Sequence, residues 1–181
     1  MTITETYISL ARLLDYPAEK QELETAHSAV SAFLGNRKTD CALSSFADLV
    51  AASPLAALQE EYVATFDFNP ATAPYLGHHL FGDNQKKGGY MIGLKQEYDR
   101  HGYIPSTNEL PDHLPVVLGF LAHLTREEGS AQRRPFIADM LLPGMEKLSA
   151  VFAARPECPW KPLIEAALFV CTADCKEVTP C

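Results

Sequence analysis

Four sets of side chains in this sequence have types and spacings that could do chemistry. His78 and His79, followed by Asp83, offer two imidazoles and a carboxylate to a metal ion. Adjacent helical positions point about 100° apart, however, so one histidine is expected to face the core and the other solvent. Cys171 and Cys175 lie four residues apart on one helix face, with Cys181 nearby and Cys158 available as a fourth ligand. Closed zinc sites need four closely spaced ligands, and buried cysteines more often serve as small apolar residues. Glu24 and His27 make one Glu-x-x-His pair, where a di-iron bundle needs two such pairs and two further glutamates. That pair is expected on the surface of its helix. Asp112 and His113 stand between Pro111 and Pro115. They lack an accompanying nucleophile and do not read as a triad. Asp112 is expected to cap a helix start, which leaves His113 without a structural reason.

The remaining catalytic signatures are missing. The run from Gly82 to Gly89 contains Lys86 and Lys87 but lacks the lysine-hydroxyl ending of a phosphate-binding loop. No nucleophile elbow and no dinucleotide fingerprint occurs. The residues therefore point to recognition rather than catalysis, with no metal and no cofactor of the chain's own. The stretch that points there most directly is EYVATFDFNP, Glu61 to Pro70, in which Asp67 lies between Phe66 and Phe68 ahead of an Asn-Pro turn.

The elements that must position these residues are helices. Ile3, Tyr7, Leu10 and Leu14 make one stripe, closed by Tyr16-Pro17. Residues 19–34 and 44–52 read as the next two helices. Ser53-Pro54 then restarts the chain as cap and first-turn proline, and Leu55, Leu58, Tyr62 and Phe66 follow at helical spacing. Tyr62 to Phe68 is β-prone in composition, but period 3.6 fits it better than period 2. Tyr75 to Phe81 is a short helix ended by Gly82, and the next is capped by Asp83 or Asn84 and stopped by Gly102. Leu110 to Leu124 forms a long buried stripe. Residues 133–153 are helical with a kink at Pro143, and Trp160 to Cys171 gives the last stripe. The fold class is all-α: one helical bundle of about eight to ten helices over residues 1–173, with 174–181 a loose tail.

Composition narrows the partner. With 47% hydrophobic and 21% charged residues, the 181-residue chain is globular. Its formal net charge of −8 disfavours nucleic acid and anionic membrane surfaces and suits a basic or neutral partner. The amino terminus MTITETYISL lacks a basic start and carries Glu5, so no signal peptide is expected. No stretch approaches the roughly 20 apolar residues of a membrane span. Five cysteines without framework spacing are expected as free thiols in a reducing cytoplasm.

Three runs carry a family resemblance: EYVATFDFNP, GHHLFGD from Gly77 to Asp83, and ELPDHLPVVLGFL from Glu109 to Leu121. Together they resemble the nitrate reductase delta-subunit chaperones, the NarJ-type branch of the TorD/DmsD-like redox-enzyme maturation proteins. The likeness is densest from about Leu58 to Leu124. It implies an all-helical TorD-like fold, no catalytic activity and a cytoplasmic location. It also implies a partner, the apo catalytic, molybdopterin-containing subunit of a nitrate reductase-type enzyme. Such chaperones bind that subunit chiefly through its N-terminal leader-like segment and hold it until the molybdenum cofactor is inserted. Many members carry a longer tail than the one ending here at Cys181.

A leader of that kind is an amphipathic basic helix, and recognising it needs an apolar groove with carboxylates at its rim. Tyr62, Phe66, Phe68 and Tyr75 are expected to form the aromatic floor, with Leu114 and Phe120 extending it. Asp67, Glu109 and Asp112 are expected to meet lysine or arginine. His79, Pro111 and His113 complete the expected client-binding set, His113 as a pH-sensing or carbonyl-binding group. Two alternatives stay open: a metal-dependent helical enzyme using His78, His79, Asp83 or the late cysteines, and a general helical adaptor. Oligomeric state is open between monomer and homodimer.

Overall fold

Thr2 and Glu5 start the first helix with a reciprocal capping box. The Glu5 amide donates to Thr2 Oγ1 at 3.2 Å, and the Thr2 amide donates to the Glu5 carboxylate at 2.8 Å. The computed structural model describes residues 2–35, 39–127 and 130–176. In it, α1 (Ile3–Leu13) buries Tyr7, Leu10 and Leu13 and packs between α2 (Lys20–Leu34) and α7 (Leu114–Glu127). After α3 (Thr39–Ala52), Pro54 takes the extended cap position of α4 (Leu55–Tyr62), one residue later than the sequence predicts.

The helical reading of Tyr62 to Phe68 holds, but not as a regular α-helix. Val63–Asp67 is a π-helical turn, in which the Phe68 amide donates to the Val63 carbonyl at 3.0 Å. One extra residue in the turn rotates everything after it. Tyr62 and Phe66 face the core, while Asp67 and Phe68 after them both point outward. Pro70 has no amide with which to continue the ladder. The hydroxyl of buried Thr72 takes over, donating to the Thr65 carbonyl, and Asn69 Oδ1 accepts from the Ala71 amide at 3.2 Å.

The chain then forms α5 (Leu76–Phe81) and α6 (Lys86–Arg100). Helix α6 ends in a Schellman turn: Tyr103 N donates to Tyr98 O at 2.9 Å, Gly102 N to Asp99 O at 3.2 Å, and Gly102 has φ 63°. The Tyr98 and Tyr103 rings, 5.2 Å apart, make the accompanying contact. This fixes the start of the loop that leads to Glu109. The span predicted as one helix kinked at Pro143 is α8 (Ser130–Phe136), a second π-turn (Ile137–Leu141) and α9 (Leu142–Ala153). The discontinuity precedes Pro143, which sits in the first turn of α9 where its missing N–H is harmless.

The bundle is a single all-α domain with one continuous core. Tyr62, Phe66, Phe152 and Trp160 pack edge to face or tilted, with ring centroids 4.8–6.0 Å apart. The last helix, α10 (Lys161–Lys176), runs three residues into the stretch predicted as tail. The reason is Asp174, a buried carboxylate that accepts from Tyr7 Oη at 2.6 Å and from Arg133 Nε and Nη2 at 2.5 and 2.7 Å. It bolts α1, α8 and α10 together; residues 177–181 lie outside the described residues. Among the described residues no helix is long and apolar enough to cross a membrane.

Candidate functional site

Backbone pairing brings two of the sequence motifs into register. Leu76 N donates to Asp112 O at 3.0 Å, and Leu114 N donates to Pro74 O at 2.8 Å. Tyr75 and His113 thus sit opposite each other as an isolated antiparallel bridge, their rings 5.1 Å apart. The Tyr75 hydroxyl donates to the Glu109 carboxylate at 2.8 Å. The Glu109, Asp15, Asp112 and Asp67 carboxylates, in falling order, favour the charged form of this imidazole, so Asp67 of the Glu61 to Pro70 run lies within electrostatic reach of it.

Helix α7 begins at Leu114, and the Val117 amide donates to the His113 carbonyl at 3.1 Å, so His113 occupies the cap position. Asp112, the expected cap, turns to α5 instead: its Oδ2 accepts from the Gly77 amide at 2.9 Å. It satisfies one of the free N–H groups at the start of that helix. Gly77 is needed there because a Cβ would lie 2.8 Å from Asp112 Oδ2. Asp112 is 0% exposed, and its Oδ1 has no hydrogen-bond partner among the described residues. Burial pushes its carboxyl above the usual range, against the pull of the Gly77 hydrogen bond.

Burial also dominates at His113, which is 4% exposed. It lowers the imidazole below the ordinary 6.5, although Glu109, Asp15, Asp112 and Asp67 all pull the other way. Burial thus favours the neutral form of this ring. Burial likewise raises the Tyr75 hydroxyl, helped by its bond to Glu109.

The expected groove set divides in two. Phe68, 82% exposed, and the exposed carboxylates Asp67 and Glu109 lie on the surface, with Tyr75 half-buried among them. Tyr62, Phe66, Leu114 and Phe120 belong to the core, and Pro111 is buried. The reason is helical register: each lies on the inward stripe of its helix, and the Tyr62 hydroxyl is used up on the Leu14 carbonyl at 3.2 Å. Asp112 is not at the rim, because its carboxylate is spent on α5. His79 is half-buried, and its Nε2 donates to the Ala73 carbonyl at 2.7 Å, bracing the turn before Pro74. Burial lowers its pKa as well.

The metal alternatives find no cluster. Among the described residues no three His, Cys, Asp or Glu side chains gather to hold a metal ion. His78 and His79 are both half-buried with rings 5.4 Å apart, rather than one inside and one outside. Cys171 is buried, which pushes its thiol up, and Cys175 lies 3.9 Å from the Arg134 carbonyl. Cys181 lies outside the described residues. His27 is not a surface group, since its Nε2 meets the Leu43 carbonyl at 2.8 Å and links α2 to α3.

Sequence reasoning passed over Asp15 and Tyr16 and placed Leu110 in a buried stripe; Tyr16 and Leu110 are in fact exposed, because α7 and its inward stripe start only at Leu114, and the Tyr16 ring packs edge-on to Tyr62 at 5.7 Å. A signal was present. Asp15-Tyr16-Pro17 carries the same acid-aromatic-proline composition as Asp67-Phe68-Asn69-Pro70.

Comparison with known proteins agrees with this architecture. A Bacillus subtilis (strain 168) protein named as a nitrate reductase molybdenum cofactor assembly chaperone, NarJ, is 31% identical over 151 residues, covering 82% of each chain. The Escherichia coli (strain K12) NarJ chaperone is 37% identical over 125 residues; the match covers 67% of this chain and 52% of that one. A crystal structure from Archaeoglobus fulgidus, described as a redox enzyme maturation protein, superposes with a TM-score of 0.56 at 21% identity, covering 91% of this chain and 95% of that one. It shares the fold. The family model described as nitrate reductase delta subunit matches residues 20–162, and the chain belongs to that family.

Proposed function

We propose that this protein is an assembly chaperone for a nitrate reductase-type molybdoenzyme and not itself an enzyme. It binds the apo catalytic subunit through an N-terminal leader-like segment and holds it, in the cytoplasm, while the molybdenum cofactor is inserted. Family membership supports the chaperone role, as do relatives named as molybdenum cofactor assembly chaperones. The single observation that carries the binding site is the surface at the α5–α7 corner. There the exposed apolar side chains Phe68 and Leu110 accompany the carboxylates Asp67 and Glu109. A basic amphipathic segment matches both features: its apolar face covers the exposed rings, and its cations meet the acids. The net charge of −8 steers such a segment toward the chain.

Calorimetric titration with the N-terminal peptide of the catalytic subunit encoded beside this chain tests the reading. Saturable binding is expected, weakened about tenfold by Phe68→Ala or by Asp67→Asn with Glu109→Gln. Binding that is indifferent to all three substitutions removes the corner as the site. A peptide that does not bind the unaltered protein removes the leader as the ligand.

A further inference from the structure

Helix α6 is anchored to the bundle from Tyr90 onward. Tyr90, Leu94 and Tyr98 are buried, and the Tyr90 and Tyr98 hydroxyls donate to the Met140 and Pro111 carbonyls at 2.7 and 2.6 Å. Ahead of Tyr90, Lys86, Gly88 and Gly89 are exposed and Lys87 is half-buried. This first turn is built from parts that weaken a helix. The cap residue, Gln85, makes no side-chain cap, and the Asn84 side chain accepts from the Lys86 amide at 3.0 Å. The Lys87 and Gly88 amides reach back three residues rather than four, to the Asn84 and Gln85 carbonyls at 3.0 and 3.1 Å. Two lysines and no acid stand at the positive end of the helix dipole.

Gly88 and Gly89 have no reason in the packing of the closed turn. Neither has a positive φ, and a Cβ added to either meets no described atom within 4 Å. Alanine would fit at both positions and would order into the helix at a lower entropic cost. What two adjacent glycines supply instead is a turn that uncoils easily.

Beneath this turn lies Asp112. A Cβ at Gly77, where Asp112 Oδ2 meets α5, would lie 3.1 Å from Tyr90 Cδ1 and 3.4 Å from Lys87 Cγ, so the start of α6 covers that contact. Asp112 Oδ1 is buried there without a hydrogen-bond partner among the described residues. A polar atom kept in this way is costly, and water that reaches it relieves the cost. The charge of Lys87 favours the ionised carboxylate under the closed turn, but burial outweighs it.

We propose that residues 86–89 form a strap over the buried Asp112 carboxylate, which uncoils independently of the rest of α6 and admits water to the contact between Asp112 and Gly77. Closed, the strap locks the carboxylate onto the start of α5. Open, it frees that carboxylate, so the strap sets how firmly the α5–α7 corner is held. The device does not depend on what the chain binds.

Native-state amide hydrogen exchange of the full chain, read residue by residue by NMR, tests this. The Tyr90 amide is expected to open about 100-fold more often than those of Leu94 and Tyr98, with little dependence on dilute urea because the opening exposes little surface. The Gly77 amide, which Asp112 holds at 2.9 Å, is expected to open as often as that of Tyr90. Gly88→Ala with Gly89→Ala, two exposed positions with room for the added methyls, is expected to raise the protection of Tyr90 and Gly77 together by about tenfold. Leu94 and Tyr98 should stay unchanged relative to global unfolding. A Tyr90 amide as protected as that of Tyr98 in the unaltered protein overturns the strap. So does a Gly77 amide that stays closed while Tyr90 opens, or an opening indifferent to the two alanines.

Discussion

Two buried aspartates hold this bundle together, and they are provided for differently. Asp174, near the end of α10, has its carboxylate shared among Arg133 and Tyr7, with every contact at 2.7 Å or less. Asp112, at the α5–α7 corner, has one backbone N–H from Gly77 on one oxygen and no hydrogen-bond partner for the other among the described residues. The first is an ion pair completed by hydrogen bonds, the arrangement under which a buried charge is tolerated. The second is a desolvated group whose carboxyl is pushed toward its neutral form. Completed pairing makes a rigid joint between α1, α8 and α10. Incomplete pairing marks the corner where His113, Tyr75 and the surface carboxylates gather.

The largest expected effect tests the joint. Asp174→Ala removes the carboxylate that neutralises buried Arg133 and is expected to cost about 3–5 kcal/mol in urea unfolding, while peptide affinity of the folded fraction is kept. Gly77→Ala comes next. Its Cβ meets Asp112 Oδ2 at 2.8 Å, so a loss of about 1–3 kcal/mol is expected. Asp112→Ala alone should cost only about 1 kcal/mol, the loss of a helix cap, and combined with Gly77→Ala it should cost less than the sum. If Asp112→Ala costs as much as Asp174→Ala, the contrast between the two carboxylates is wrong.

Smaller effects follow from titration. His113 and His79 are held below 6.5 by burial, so between their folded values and 6.5 the unfolded chain binds more protons, and stability rises with pH there. Asp112 is held above 3.8, so from 3.8 up to its folded value the native state binds more protons, and stability falls as pH rises. Urea unfolding followed across acid to neutral pH should show the upper rise flattened by His113→Gln and the lower fall flattened by Asp112→Asn. An upper rise untouched by His113→Gln would assign it to other groups. The smallest stability effect is expected at Phe68, where truncation of an 82% exposed ring should change unfolding by no more than about 0.5 kcal/mol.

Much of the fold was legible because helical stripes, caps and stops are local signals. Gly82 and Gly102 mark ends that the structure keeps. The π-turn at Val63–Asp67 was not legible, since its effect on the stripe comes after Phe66, where the apolar pattern has already stopped. Of the expected groove residues, Asp67, Phe68 and Glu109 are exposed and Tyr75 is half-buried, as the sequence suggests. Tyr62, Phe66, Leu114 and Phe120 are core instead, because an aromatic or leucine on a helix reads the same whether its neighbour is another helix or a ligand.

The sequence by itself determined an all-helical chain without a complete catalytic or metal-binding set, and two motifs whose residue types suit a basic, apolar partner. Only the tertiary structure decided that Asp112 faces α5 rather than its own helix, and that Asp15 from the far amino-terminal end shares an electrostatic neighbourhood with His113. The physical reason is range. Capping, periodicity and turn chemistry act within a few residues, whereas the bridge between Tyr75 and His113 and the packing of α1 on α7 depend on how whole helices bury their apolar faces together.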